Sequence, residues 1–134
     1  MISFAIAYIA ALAVMAGLDF CWLSLMAGPV YRPALGAVMA ENPNMAAAVA
    51  FYLLYGAGVV IFAVRPGLQA ADWRVALLWG ALFGFFAYAT YDLTNLATLK
   101  VWSLKISLLD MAWGAVITGT SAAASAWVTL ALGK

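Results

Sequence analysis

Residues 73–99, WRVALLWGALFGFFAYATYDLTNLATL, decide the fold. Only Arg74 and Asp92 carry charge in this stretch, and apart from Asn95 and three threonines the rest is apolar, small or aromatic. A hydrocarbon layer about 30 Å thick is crossed by a helix of about 20 mainly apolar residues. The stretch has that length and reads as a membrane span, with Asp72 placed to cap its N-terminus. Working outward, three further segments meet the same criterion: about 3–26, 45–64 and 104–132. All four prolines, Pro29, Pro33, Pro43 and Pro66, fall outside these ranges, as expected if each marks a boundary. Gly28-Pro29 is expected to end the first span and Arg65-Pro66-Gly67 the second. Ala34–Ala40 is expected to form a short helix lying at the interface.

Composition agrees. Of 134 residues, 69% are hydrophobic and only 8% charged, whereas a soluble domain carries about 25% charged residues. The expectation is an all-α membrane protein, one transmembrane domain (1–134) built as a four-helix bundle. Net charge is +1 with no basic run, which argues against nucleic acid as a partner. There is no histidine and a single cysteine, Cys21, so histidine acid–base chemistry and most zinc sites are excluded. No HExxH or DxD pattern occurs, and no cofactor or metal is implied. Cys21 reads as a small buried thiol. The N-terminus lacks the positive charge of a cleaved leader, so the first segment reads as a retained span. Loop charges do not choose an orientation: Arg65, Arg74 and Lys134 on one side balance Arg32, Lys100 and Lys105 on the other.

The polar residues carry the functional signal. Asp19 lies about seven residues before the end of span one and Asp92 about seven before the end of span three. Asp110 lies about six residues into span four. Because span four runs back, all three carboxylates are expected in one half of the bilayer, about 10 Å or less from its surface. Tyr52 and Tyr55 fall in the same half. Helical periodicity then gives each span one polar, aromatic stripe: Tyr8, Met15, Asp19 and Trp22; Tyr52 and Tyr55; Tyr88, Tyr91, Asp92, Asn95, Thr98 and Trp102; Asp110, Trp113, Gly114 and Ser121. A central Asp costs roughly 2.5–3.5 kcal/mol in lipid, so the stripes should turn inward. The expected product is one polar cavity walled by aromatic rings, in which at least one crowded carboxyl carries a proton near neutral pH.

Plainer readings stand beside this. Asp19 and Trp22 fit an interfacial anchor, as do Trp73, Trp102 and Trp127, because amphipathic rings gather at membrane interfaces without further function. Arg65, Arg74, Lys100 and Lys105 fit loop anchors, while Arg32 is placed to offer the acids a counter-charge. Gly80-Ala-Leu-Phe-Gly84 is a GxxxG motif, read first as bundle packing and second as a dimer face.

Several of these segments resemble a known family. They are Asp19-Phe-Cys-Trp22, Phe51-Tyr-Leu-Leu-Tyr55-Gly56, the Phe62-Ala-Val-Arg-Pro66 stop, Ala87-Tyr-Ala-Thr-Tyr-Asp-Leu-Thr-Asn95 and Asp110-Met-Ala-Trp-Gly114. Together they resemble the small bacterial inner-membrane proteins grouped as domain of unknown function 2177. The resemblance implies a bacterial origin and an inner-membrane location, and brings no activity with it.

Three functions remain open on the residues. The first is binding or transport of a lipophilic or lipid-like small molecule by Asp19, Trp22, Tyr52, Tyr55, Tyr88, Tyr91, Asp92, Asn95, Asp110 and Trp113. Aromatic faces with acids suit a lipophilic cation. Small multidrug exporters, which work as dimers, are similar in size and span number, but their span-one Glu has no counterpart beyond Asp19. The second is a lipid-modifying enzyme using Asp92 and Asp110 as acid and base. The third is an accessory subunit of a larger membrane complex.

Overall fold

A computed structural model describes residues 2–133; Lys134, counted in the charge balance above, lies outside them. Among the described residues four helices are long and apolar enough to cross a membrane: α1 (Ile2–Leu35), α2 (Met45–Ala70), α3 (Trp73–Thr98) and α4 (Leu104–Leu132). No strand occurs among these residues. The bundle is therefore all-α, as expected.

Helix starts follow local chemistry. Asn44, Asp72 and Ser103 take extended backbone and accept hydrogen bonds from Ala47, Arg74 and Ile106 N–H respectively. Asp72 also pairs with the Arg74 guanidinium, 3.0 Å away, which holds its carboxyl below the usual range. Being depressed, that carboxyl contributes above the unfolded value, and the contribution is lost as pH falls through the folded one. The pair is exposed, so the effect is small.

The two proline stops are corrected. Gly28-Pro29 does not end α1; residues Ala27–Tyr31 form a π-helical turn and helix resumes over Arg32–Leu35. Residues 34–40 form no separate interfacial helix: helix stops at Leu35 and turns follow. Likewise Val60–Val64 form a π-turn and α2 continues through Pro66 to Ala70. The reason is steric. A proline ring clashes with the carbonyl four residues back, and a widened turn removes that clash without breaking the helix. In both turns the next N–H bonds five residues back, Arg32 to Ala27 and Arg65 to Val60. One added residue also rotates the following helix by about 100°.

α4 is the central helix. It packs along α3 most extensively and along α1 next. Its inner face is small and hydroxylated: Gly114, Thr118, Ser121, Ala122, Ser125, Ala126 and Thr129 are all buried. The Ser125 hydroxyl donates to the Ala7 carbonyl at 2.7 Å, and Tyr55 shares a 2.8 Å hydrogen bond with Thr118. The GxxxG face of α3 is consumed here. A Cβ on Gly84 would collide with the Gly114 carbonyl and lie 2.6 Å from Thr118 Cβ; one on Gly80 would lie 2.8 Å from Ala122 Cβ. Without a hydrophobic drive in lipid, such close backbone approach is what holds helices together. The motif is a bundle seam.

α2 leans unevenly. Its Val60–Ala70 half packs on α3 and α4, whereas its Met45–Val59 half rests mainly on α1. The tight turn at Ala71-Asp72 therefore joins α2 and α3 closely at one end, and the two diverge toward the other. Large apolar side chains such as Ile9, Phe20, Leu54, Phe62 and Phe86 point outward. Cys21 also faces outward, correcting the expectation of a buried thiol: it sits one residue off the inward Asp19–Trp22 stripe.

Two substitutions test this packing by reversible unfolding in mixed micelles. Gly84→Ala forces α3 off α4 and should lower stability by roughly 3 kcal/mol. Ala71, with φ of 53°, holds a left-handed conformation that disfavours any Cβ. Ala71→Gly should therefore raise stability by about 0.5–1 kcal/mol. Unchanged stability in Gly84→Ala contradicts the seam.

Candidate functional site

The carboxylates lie at the diverging end, where loop residues 36–44 and 99–103 close the bundle. Asp19 of α1 accepts hydrogen bonds from two other helices. The Tyr52 hydroxyl of α2 donates to Oδ2, and the Trp113 indole N–H of α4 donates to Oδ1 at 3.2 Å. Bonds to an ionised acceptor are worth about 1.5–3 kcal/mol each, enough to offset much of the cost of an acid at this depth. Asp19 is thus a junction of α1, α2 and α4, not a lone surface anchor.

From Trp113 the line continues. Its ring lies on that of Trp22 with centroids 4.2 Å apart and planes 7° from parallel. The Trp22 indole N–H donates to the Tyr31 hydroxyl at 3.1 Å, and Tyr31 donates to Asp110 Oδ1 at 3.1 Å. Two carboxylates on different helices are thereby joined through Trp113, Trp22 and Tyr31.

Tyr31 was missed by sequence reasoning because α1 was expected to end at Gly28. The π-turn at Ala27–Tyr31 keeps the helix going and swings the tyrosine over the acids. The available signal was an accounting one: inward carboxylates need donors, and Tyr31 is the hydroxyl that follows span one. Arg32, expected as a counter-charge, is exposed and makes no ion pair with these acids. Among the described residues the Asp72–Arg74 pair at the opposite end is the only salt bridge.

Asp92 differs from its two partners. It is completely buried, its carboxyl abuts Asp110, and neither of its oxygens receives a hydrogen bond. The neighbouring run is less polar inside than its sequence suggests. Thr94 and Thr98 turn their hydroxyls back to the carbonyls of Thr90 and Thr94 on their own helix, and both are exposed. Such back-bonding satisfies a hydroxyl in lipid without any partner helix. Asn95 is half-buried and lines neither of the cavities described next.

Two cavities meet at this cluster. A groove of about 370 Å³ lies between Phe51 and Tyr55 of α2 and Ala87, Tyr88 and Tyr91 of α3, and reaches Asp110. It is the gap left where α2 leans away. Its rim residues Phe51 and Tyr91 are about half exposed, at 49% and 57%, so the groove opens sideways between helices. Tyr88 is set by Gly114, whose missing Cβ makes room for the ring. A second cavity of about 250 Å³ lies beneath the α1 extension. Tyr31, Leu35 and Met39 roof it, with Tyr91, Asp92, Trp102 and Asp110 below. The two share Tyr91 and Asp110. Among the described residues no group of three or more His, Cys, Asp or Glu is placed to hold a metal ion. The arrangement can orient a polar group at Asp110 while an apolar body lies against rings.

Over residues 4–127 the chain matches the model of a family described as "Predicted membrane protein (DUF2177)". No curated protein and no solved structure matches it.

The stacked pair is directly measurable. Overlapping indoles at this spacing are electronically coupled, so the near-ultraviolet circular dichroism should change alike in Trp22→Phe and Trp113→Phe. A double-mutant cycle on stability should return about 0.5–1.5 kcal/mol of coupling. Additive effects and an unchanged spectrum contradict the stack.

Proposed function

The chain belongs to this DUF2177 family of predicted membrane proteins, and from that premise we propose that it binds, for transport or retention, a lipophilic or lipid-like small molecule in a bacterial inner membrane. The inner-membrane placement rests on the sequence resemblance. The binding role rests on one observation: the groove between α2 and α3 is aromatic along its walls, open sideways, and polar at its inner end.

Each feature has a chemical consequence. A gap that opens laterally is reached from the acyl phase, so a ligand dissolved in the bilayer enters without crossing water. Phe51, Tyr55 and Tyr88 present ring faces with Tyr55 as the hub; its ring centroid is 5.2 Å from Phe51, 5.4 Å from Phe83 and 6.4 Å from Tyr88. Tyr55 is itself pinned by Thr118, which makes the wall rigid and limits the ordering cost on binding. Asp110 then fixes which end of the molecule points inward. A scaffold with no ligand would be more stable with leucines at these places, since ionisable groups at membrane depth are costly and mark function by default. The GxxxG seam adds nothing to a docking role, because α4 covers it.

Ala87 sits on the groove wall and is half-buried, so its enlargement fills the space while sparing the acids. Native mass spectrometry from mild detergent should show a small molecule bound to the wild-type protein. Ala87→Trp should lower its occupancy at least about tenfold, which is about 1.4 kcal/mol of binding. Full occupancy in Ala87→Trp, or a ligand-free wild type in every mild detergent tried, defeats the proposal.

A further inference from the structure

Asp92 takes no part in the hydrogen-bonded line from Tyr52 to Asp110, and its burial needs its own explanation. Both of its oxygens are unpartnered, it is 0% exposed, and it lines the second cavity beside Asp110. An ionised carboxylate with no donor is among the costliest groups a membrane bundle can hold. Two abutting carboxyls in such a place do not both ionise; one proton held between them satisfies both.

The surrounding groups supply no cation. Facing the pair are Tyr31 from the end of α1, Tyr88 and Tyr91 from α3 itself, and Asp19 from within α1, while Tyr52 and Tyr55 of α2 are engaged with Asp19 and Thr118. Trp102 and Ile106 complete the wall. Arg32, Lys100 and Lys105 are exposed and, among the described residues, make no ion pair with Asp19, Asp92 or Asp110. A cluster of acids without a positive partner stands at the inner end of a groove walled by aromatic faces.

Resting on the reading that the groove holds a lipophilic molecule, we propose that the ligand carries a cationic ammonium end, that this end docks on Asp110, and that it displaces one proton held by the Asp92–Asp110 pair. The step balances. The empty pair holds one proton and one negative charge. The ammonium arrives with one positive charge, and the proton leaves through the second cavity to water. Two carboxylates and one ammonium remain, so the site keeps the same net charge, and no bond to carbon forms or breaks. Tyr55, Tyr88 and Tyr91 offer ring faces to the cation along the groove. Asp110, shared by both cavities, is the exchange point: the ligand reaches it from the bilayer side and the proton leaves from beneath the α1 extension.

The test is calorimetric titration of the full chain in nanodiscs, after subtraction of empty discs, with phenylbutylammonium and its neutral analogue phenylbutanol. Runs in two buffers of different ionisation enthalpy report the protons released. Binding of phenylbutylammonium should release about one proton. Over the range in which the empty pair holds its proton, Kd should fall about tenfold for each unit rise in pH. Phenylbutanol should bind more weakly and release none. Asp92→Asn is close in size and cannot release a proton; it should still bind the ammonium through Asp110, with no proton release and no pH dependence. Equal affinity for the alcohol and the ammonium, with no proton released, overturns the cation proposal and leaves the lipophilic-binding reading standing. Failure of both probes to bind overturns the proposal together with that reading.

Discussion

The backbone contact between α3 and α4 is the constraint from which the rest of the molecule follows. Gly80 and Gly84 of α3 lie against Gly114, Thr118 and Ala122 of α4 so closely that any side chain there would collide with a carbonyl or a neighbouring side chain. Lipid offers helices no hydrophobic reason to associate, so this area of van der Waals contact fixes their angle and rotation. Once it is fixed, Asp92 and Asp110 abut at the same end, Tyr88 lies over Gly114, and the remaining two helices must cover what is left.

They cover it incompletely, and that is what makes a site. α1 closes one side through the Ala7–Ala11–Met15 stripe and the Ser125–Ala7 hydrogen bond. α2 is tethered to α3 by the turn at Ala71-Asp72 and packs well only through its second half. Its first half diverges, and rings fill part of the gap in place of a helix backbone. The groove is thus a consequence of a short turn at one end and a long connection, residues 36–44, at the other.

The acids show how a bundle tolerates charge at depth. Asp19 is satisfied by Tyr52 and Trp113 from two helices, and Asp110 by Tyr31. These bonds turn a costly residue into a joint between helices. Asp92 lacks such partners, and the contrast within one cluster separates residues explained by architecture from one that architecture leaves over. Trp22 and Trp113, stacked between the two satisfied acids, tie α1 to α4 and bring the carboxylates into one unit.

The order of elements was legible because it depends on local chemistry. Hydropathy marks four lengths of chain that water would reject, Asp72 marks the start of α3, and helical spacing puts the acids and rings on one stripe per span. The shared depth of Asp19, Asp92 and Asp110 follows from span order alone. Other features depend on what lies across a gap, and local chemistry has no access to that. Whether the helix stops at Pro29 or continues through a widened turn is not written in the local sequence, and the continuation is what lets Tyr31 reach Trp22 and Asp110. Thr94 and Thr98 have the same polarity on paper as Asn95, yet bond to their own backbone because α3 turns them outward. Cys21 faces outward for the same rotational reason. That Asp19 and Asp110 have donors and Asp92 has none is a property of tertiary packing, since a hydrogen bond needs a partner within about 3 Å and sequence spacing does not say which helix will supply it.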